Sequence, residues 1–110
     1  MSKLQINGVT IHYTQSGQGR DVVCLHGWGQ NLEMFQATQD FLSPWFKVTL
    51  IDFPGFGESS LMDAPWGVDD YTLNFKVFCD RLNIQDPILI AHSFGARVAI
   101  LYAAKYKVHK

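Results

Sequence analysis

Charge of either sign is scarce in this chain. Nine Lys and Arg stand against ten Asp and Glu, a formal net charge of -1 with the histidines neutral. No cluster of cations is present to release counterions from a polyphosphate, which excludes a broad nucleic-acid surface. Long apolar runs are also missing. No stretch approaches the roughly 18 residues of a membrane span, so no membrane association is expected. The amino terminus, Met1 to Tyr13, alternates apolar with polar residues and lacks the continuous hydrophobic region of a secretion signal. Cysteine occurs only twice, at Cys24 and Cys79, far apart and outside any C-x-x-C pattern. Without a secretion signal, both are expected to be reduced core thiols in a cytoplasmic protein. Acidic residues run out as well: Asp86 is the last, and none follows in the remaining sequence.

What is present suits a packed fold. The residues AVILMFWYC make up 47% of the 110 positions and charged residues 17%, too apolar for a disordered chain. The length fits one domain or part of one. There is no internal repeat and no linker.

The periodicity predicts a regular alternation. Lys3 to Ile6 and Val9 to Tyr13 are short runs rich in β-branched residues, and the Asn7-Gly8 pair between them is a strong hairpin signal. After Gly17-Gln18-Gly19, Asp21 to Leu25 reads as a buried strand. Asn31 is a candidate helix cap, with Met34, Phe35, Thr38, Phe41 and Leu42 on one face, and Pro44 stops that helix. Phe46 to Ile51 is a second buried strand, followed by a loop of Gly, Pro and Ser to about Gly67. Asp69 or Asp70 is the expected cap of a helix with an apolar side of Tyr71, Phe75, Phe78, Cys79 and Leu82. Ile88 to Ala91 is a third strand, and Ala96 to Tyr106 a third helix. This alternation is that of an α/β fold: a mostly parallel sheet with helices on both faces and an antiparallel hairpin at one edge.

Three segments carry chemistry. Ala91-His92-Ser93-Phe94-Gly95 lies between a strand and a helix. A serine on such a sharp turn stands in a strained backbone conformation, with small residues two places before and after it, here Ala91 and Gly95. The turn lifts the Ser93 hydroxyl above the carboxyl edge of the sheet and points the Phe94 N–H toward a developing oxyanion. An incidental serine in an ordinary strand–turn–helix is the alternative, and the flanking elements weigh against it. His26-Gly27-Trp28-Gly29 follows the first buried strand, where glycines let the backbone approach a substrate, and the Trp28 N–H is placed as a second oxyanion donor. Taken by itself, the segment reads better as a plain glycine-rich turn joining strand to helix. Asp52-Phe53-Pro54-Gly55-Phe56-Gly57-Glu58-Ser59 leaves the next strand at the same edge. Asp52 is expected to hold loop amides and not to serve as a catalytic acid.

Together and in this order, these segments resemble those of the α/β-hydrolase fold family. Leu25-His26-Gly27-Trp28-Gly29 is similar to its HGxG oxyanion loop, the stretch from Asp52 to Ser59 to its D-x-P-G-x-G-x-S loop, and Ala91 to Gly95 to its nucleophile elbow. The resemblance is closest to lid-bearing esterases, carbon–carbon bond hydrolases and peroxidase-like members without haem. It implies Ser93 as nucleophile, the amides of Trp28 and Phe94 as oxyanion hole, a small acyl substrate, no metal and no organic cofactor. Dehalogenases and epoxide hydrolases of the family carry aspartate where this chain has Ser93, which disfavours those activities.

The family's triad order is Ser, then Asp or Glu, then His. Only 17 residues follow Ser93, without an acid. The chain therefore reads as the amino-terminal part of a single hydrolase domain, inactive alone, with acid and base expected further along. Its own histidines are poor substitutes. His12 reads as an edge or solvent-facing strand residue, His26 as a brace for its loop, and His92 as the elbow's variable residue; His109 lies at the wrong place. Arg97 either anchors an acid near the Asp52–Ser59 loop or is a solvated helix cation, and Trp66 either nears the substrate or packs. Two other readings stand beside the hydrolase: a hydrolase-like binding module without a working base, and a nucleotide-binding α/β domain. Against the latter, Gly27-Trp28-Gly29 lacks a third glycine and no Gly-Lys-Ser/Thr loop occurs. With the strand at Ala91 left as an open apolar edge, the isolated chain is expected to self-associate.

Overall fold

The computed structural model describes residues 2–106. Val108, expected as the approach to a further strand, and His109 lie outside the described residues. The hairpin forms from β1 (Ser2–Ile6) and β2 (Val9–Ser16). Its two-residue turn needs the left-handed region twice, and Asn7 (φ 49°) and Gly8 (φ 84°) both occupy it. β3 (Arg20–Leu25), β4 (Phe46–Ile51) and β5 (Ile88–Ala91) complete one five-stranded sheet of order β1-β2-β4-β3-β5. β3 pairs in parallel with β4 and β5, while β2 runs antiparallel to β4. The fold is the expected mixed α/β sheet with its antiparallel hairpin at one edge.

Alternation along the central strands divides the core. Val22 and Cys24 of β3 pack with Val48 and Leu50 of β4 under Leu32 and Phe35. Val23 and Leu25 face the other way, into Phe75, Phe78, Val98 and Tyr102. One face is therefore covered by the 3₁₀ turn Leu32–Phe35 and helix α1 (Gln36–Leu42), the other by α2 (Val68–Arg81) and α3 (Phe94–Lys105).

Two expectations need correction. Asn31 does cap, accepting from the Glu33 amide at 2.9 Å, but the first turn is 3₁₀ and the buried face is Leu32, Phe35 and Gln39. Phe41 is 71% exposed and Met34 37%, because the change from three to 3.6 residues per turn rotates the stripe. Helix α2 starts earlier than read, at Val68 with Gly67 as its cap. Asp70 is the third helical residue, and its carboxylate accepts from the Gly67 amide at 2.8 Å. Among the described residues, no helix is long and apolar enough to cross a membrane.

Candidate active site

The carboxyl ends of β3, β4 and β5 lie at one edge of the sheet, and the three singled-out segments leave it there. At β5 the chain turns within two residues. The His92 amide donates to the Leu25 carbonyl at 3.1 Å, locking the turn to the neighbouring strand. Ser93 then adopts φ 54° and ψ −116°, and α3 begins at Phe94. A non-glycine residue there costs on the order of 1–3 kcal/mol, which the surrounding structure supplies. Ser93 is exposed. The small residue at position 95 answers to β3 and not to Ala91 across the turn: a Cβ on Gly95 would stand 2.6 Å from the His26 carbonyl oxygen.

The loop after β3 is held by its own histidine. His26 is fully buried. Its Nε2 accepts from the Phe53 amide at 2.9 Å, so the ring proton sits on Nδ1, which donates to the Gly27 carbonyl at 2.7 Å. Burial pulls the His26 pKa below its ordinary value, favouring this neutral form; the Gly27 bond and the charge of Asp52 oppose it less strongly. A trans peptide points its C=O and N–H in opposite directions. By gripping the Gly27 oxygen, His26 thus sets the direction of the Trp28 N–H. The loop also presses on the elbow: a Cβ on Gly27 would meet Gln30 Oε1 at 2.7 Å, His92 Nδ1 at 3.0 Å and Ser93 Cβ at 3.3 Å.

Asp52 is the hub of the third segment. Its Oδ1 accepts from the Leu32 amide at 2.7 Å; its Oδ2 accepts from the Glu58 amide at 2.9 Å and from His12 Nδ1 at 2.7 Å. One carboxylate thereby ties β2, the start of the 3₁₀ turn and its own loop together, as a loop-holding aspartate should. His12 is the surprise. It is 3% exposed, not solvent-facing, and its backbone amide donates to Ser59 Oγ, which donates in turn to the Asp52 carbonyl. The partners lie 40 and 47 residues away, so no local pattern could have signalled them.

Rings surround the elbow. Trp28 is 60% exposed and meets Phe56, Phe94 and Tyr71 edge-on, at centroid distances of 4.8, 5.1 and 6.4 Å. Trp28, Ser93, Phe94 and Arg97 line a cavity of about 400 Å³. Among the described residues, the amides of Trp28 and Phe94 donate to no protein acceptor, and no hydrogen bond joins Ser93 to a histidine. Trp66 packs edge-on against Tyr71 at 5.3 Å and is not part of that lining. Arg97 makes no ion pair with the Asp52–Ser59 loop. A larger cavity, about 530 Å³, opens at the opposite end of the sheet beside Arg20, Asp21, Asp86 and Tyr106, and among the described residues its lining includes neither serine nor histidine. Cys24 and Cys79 are free and buried, and burial pushes each thiol up to about 12, which removes them as nucleophiles at neutral pH.

A family model described as alpha/beta hydrolase fold matches residues 22–110, and the chain belongs to that family. Over 50 residues it is 46% identical to a pimeloyl-[acyl-carrier protein] methyl ester esterase of Vibrio campbellii, a stretch covering 46% of this chain and 20% of that protein. It is 32% identical over 103 residues to the AB hydrolase superfamily protein YisY of Bacillus subtilis, covering 90% of this chain and 37% of that one. The structure superposes on an alpha/beta hydrolase fold protein from Burkholderia ambifaria with a TM-score of 0.90 at 20% identity, covering 97% of this chain and 40% of that one. The chain thus spans between a fifth and two-fifths of the length of these relatives.

Proposed function

We propose that this chain is the amino-terminal part of a serine ester hydrolase with Ser93 as its nucleophile. The observation that carries the reading is the conformation of Ser93, φ 54° and ψ −116°, at the corner between β5 and α3. Such strain at an exposed serine above the carboxyl edge of an α/β sheet is costly, and it accounts for itself when the hydroxyl must reach a substrate. The esterase names among the relatives favour a carboxylic ester.

In the proposed reaction Ser93 Oγ bonds to the ester carbonyl carbon. Its proton passes to a histidine, carried with an acid on sequence beyond Lys110, as the family's triad order requires. The carbonyl oxygen becomes an oxyanion that accepts from the amides of Trp28 and Phe94. The C–O bond to the alcohol then breaks, the histidine returns its proton to the departing oxygen, and an acyl-Ser93 ester remains for water to hydrolyse. No metal or organic cofactor enters. The two buried reduced thiols suit a cytoplasmic setting.

The test is labelling of the full-length protein with a fluorophosphonate probe. The wild type is expected to label and Ser93→Ala not to label. Equal labelling of both removes Ser93 from the role. No labelling and no turnover of p-nitrophenyl esters would favour a binding module without a working base.

A further inference from the structure

We infer that the Ser93 cavity takes esters bearing an anionic group close to the scissile carbonyl, and that Arg97 reads that charge. The inference rests on Ser93 being the nucleophile and adds a substrate class to it. Ser93 and Arg97 are four residues apart across the start of α3, so they share a face about 6 Å apart along the axis. Helical side chains lean toward the amino terminus, which carries the guanidinium back over the turn that holds Ser93. The four residues lining the cavity fit together chemically. Trp28 and Phe94 supply apolar ring surface, Ser93 a hydroxyl and Arg97 a single positive charge.

That charge has no assigned employment. Arg97 is exposed; its backbone amide donates to the Ser93 carbonyl at 3.4 Å, but among the described residues its guanidinium makes no ion pair or hydrogen bond. Its fork of N–H donors matches a carboxylate or a phosphate with two parallel bonds. The amino end of α3 adds partial positive charge of the same sign beside it. A neutral ester would leave the guanidinium facing solvent. An ester with a carboxylate or phosphate a few bonds from its carbonyl would reach both groups at once, with its connecting carbons against Trp28 and Phe94. The anionic group does not change during acyl transfer, so its contact is equal in ground and transition states and belongs in KM.

The experiment uses the full-length protein and matched p-nitrophenyl esters: the glutarate half-ester, a phosphate-tailed ester of similar length, and neutral p-nitrophenyl valerate. The wild type is expected to favour one or both anionic esters by about tenfold in kcat/KM, the scale of a hydrogen bond to a charged group at a half-open site. Which of the two it favours separates the carboxylate from the phosphate. Arg97→Gln is expected to bring the ratio near one, mostly through KM; Arg97→Lys, with charge but no fork, falls between. A wild-type ratio near one with Ser93-dependent turnover overturns the inference alone, and a lowered Tm in Arg97→Gln would then assign the guanidinium to a structural ion pair. A ratio that survives Arg97→Gln and Arg97→Lys also overturns it. If no ester is turned over and Ser93 does not label, the nucleophile reading fails and takes the inference with it.

Discussion

Gly95 packs on the carbonyl oxygen of Leu25, closer than any side chain permits. The same carbonyl accepts the His92 amide, so β3 cannot withdraw without opening the turn that carries Ser93. Gly95→Ala is therefore expected to act as an overpacking substitution and to cost about 1–3 kcal/mol. Urea unfolding of the variant beside the wild type measures it. An unchanged midpoint would mean that the corner is looser than its contacts indicate.

Asp52 is 2% exposed and answers three donors from three segments. Asp52→Ala strands the Leu32 and Glu58 amides and leaves His12 without its carboxylate. The expected loss is about 2–6 kcal/mol, from two buried amides left without an acceptor at about 1–3 kcal/mol each. Asp52→Asn keeps an acceptor for one amide and should lose less. If Asp52 were the catalytic acid, Asp52→Asn would abolish turnover while leaving stability nearly intact. The expected result is the reverse: stability falls more steeply than kcat in the full-length protein.

The His26 ring makes a pH prediction with a definite sign. Its native pKa lies below the ordinary 6.5 because the buried ring resists protonation. Well above pH 6.5 both native and unfolded chains hold the ring neutral, and its contribution is complete. As pH falls from there toward the lowered native value, the unfolded chain takes up a proton that the native chain refuses. Stability then declines by at most about 1.4 kcal/mol per pH unit for this one group. Urea midpoints between pH 8 and 4.5 should show the decline, and His26→Gln should make it shallower by about one proton. Parallel curves would remove His26 as its source.

The parts legible in advance were those that backbone chemistry dictates locally. The Asn7-Gly8 turn, the buried strands before His26 and Asp52, and the strand–serine–helix corner each carry their cause within a few residues. What stayed hidden depends on partners distant in the chain. His12 reads as an edge residue until β2 is laid beside β4 and the Asp52 carboxylate arrives at its ring. Trp66 is undecided between substrate and core until Tyr71 takes it. The helix after Asn31 departs from its sequence pattern for a different reason: a period of 3.6 residues per turn from the first residue predicts a stripe through Met34 and Phe41, and the 3₁₀ start shifts every later position. The elbow pattern requires a small residue at Gly95, yet the nearest atoms that enforce it belong to the end of β3 and the residue after it.

Among the described residues β5 has one neighbour, β3, and its other side presents unpaired backbone groups along Ile88, Leu89, Ile90 and Ala91, all only partly buried. On the helix that follows, Ile100 is 71% exposed. An apolar strand edge of this kind templates pairing with another chain, and nothing in its composition opposes that: it has no charge, no proline and no bulge. The 110-residue chain expressed as such is therefore expected to sediment above its monomer mass of 12.5 kDa. Ile100→Lys, which replaces an exposed apolar side chain of α3 with a charge without touching the core, should shift the distribution toward monomer. A concentration-independent monomer with a cooperative melt would overturn this expectation, because pairing through an open apolar edge must grow with concentration.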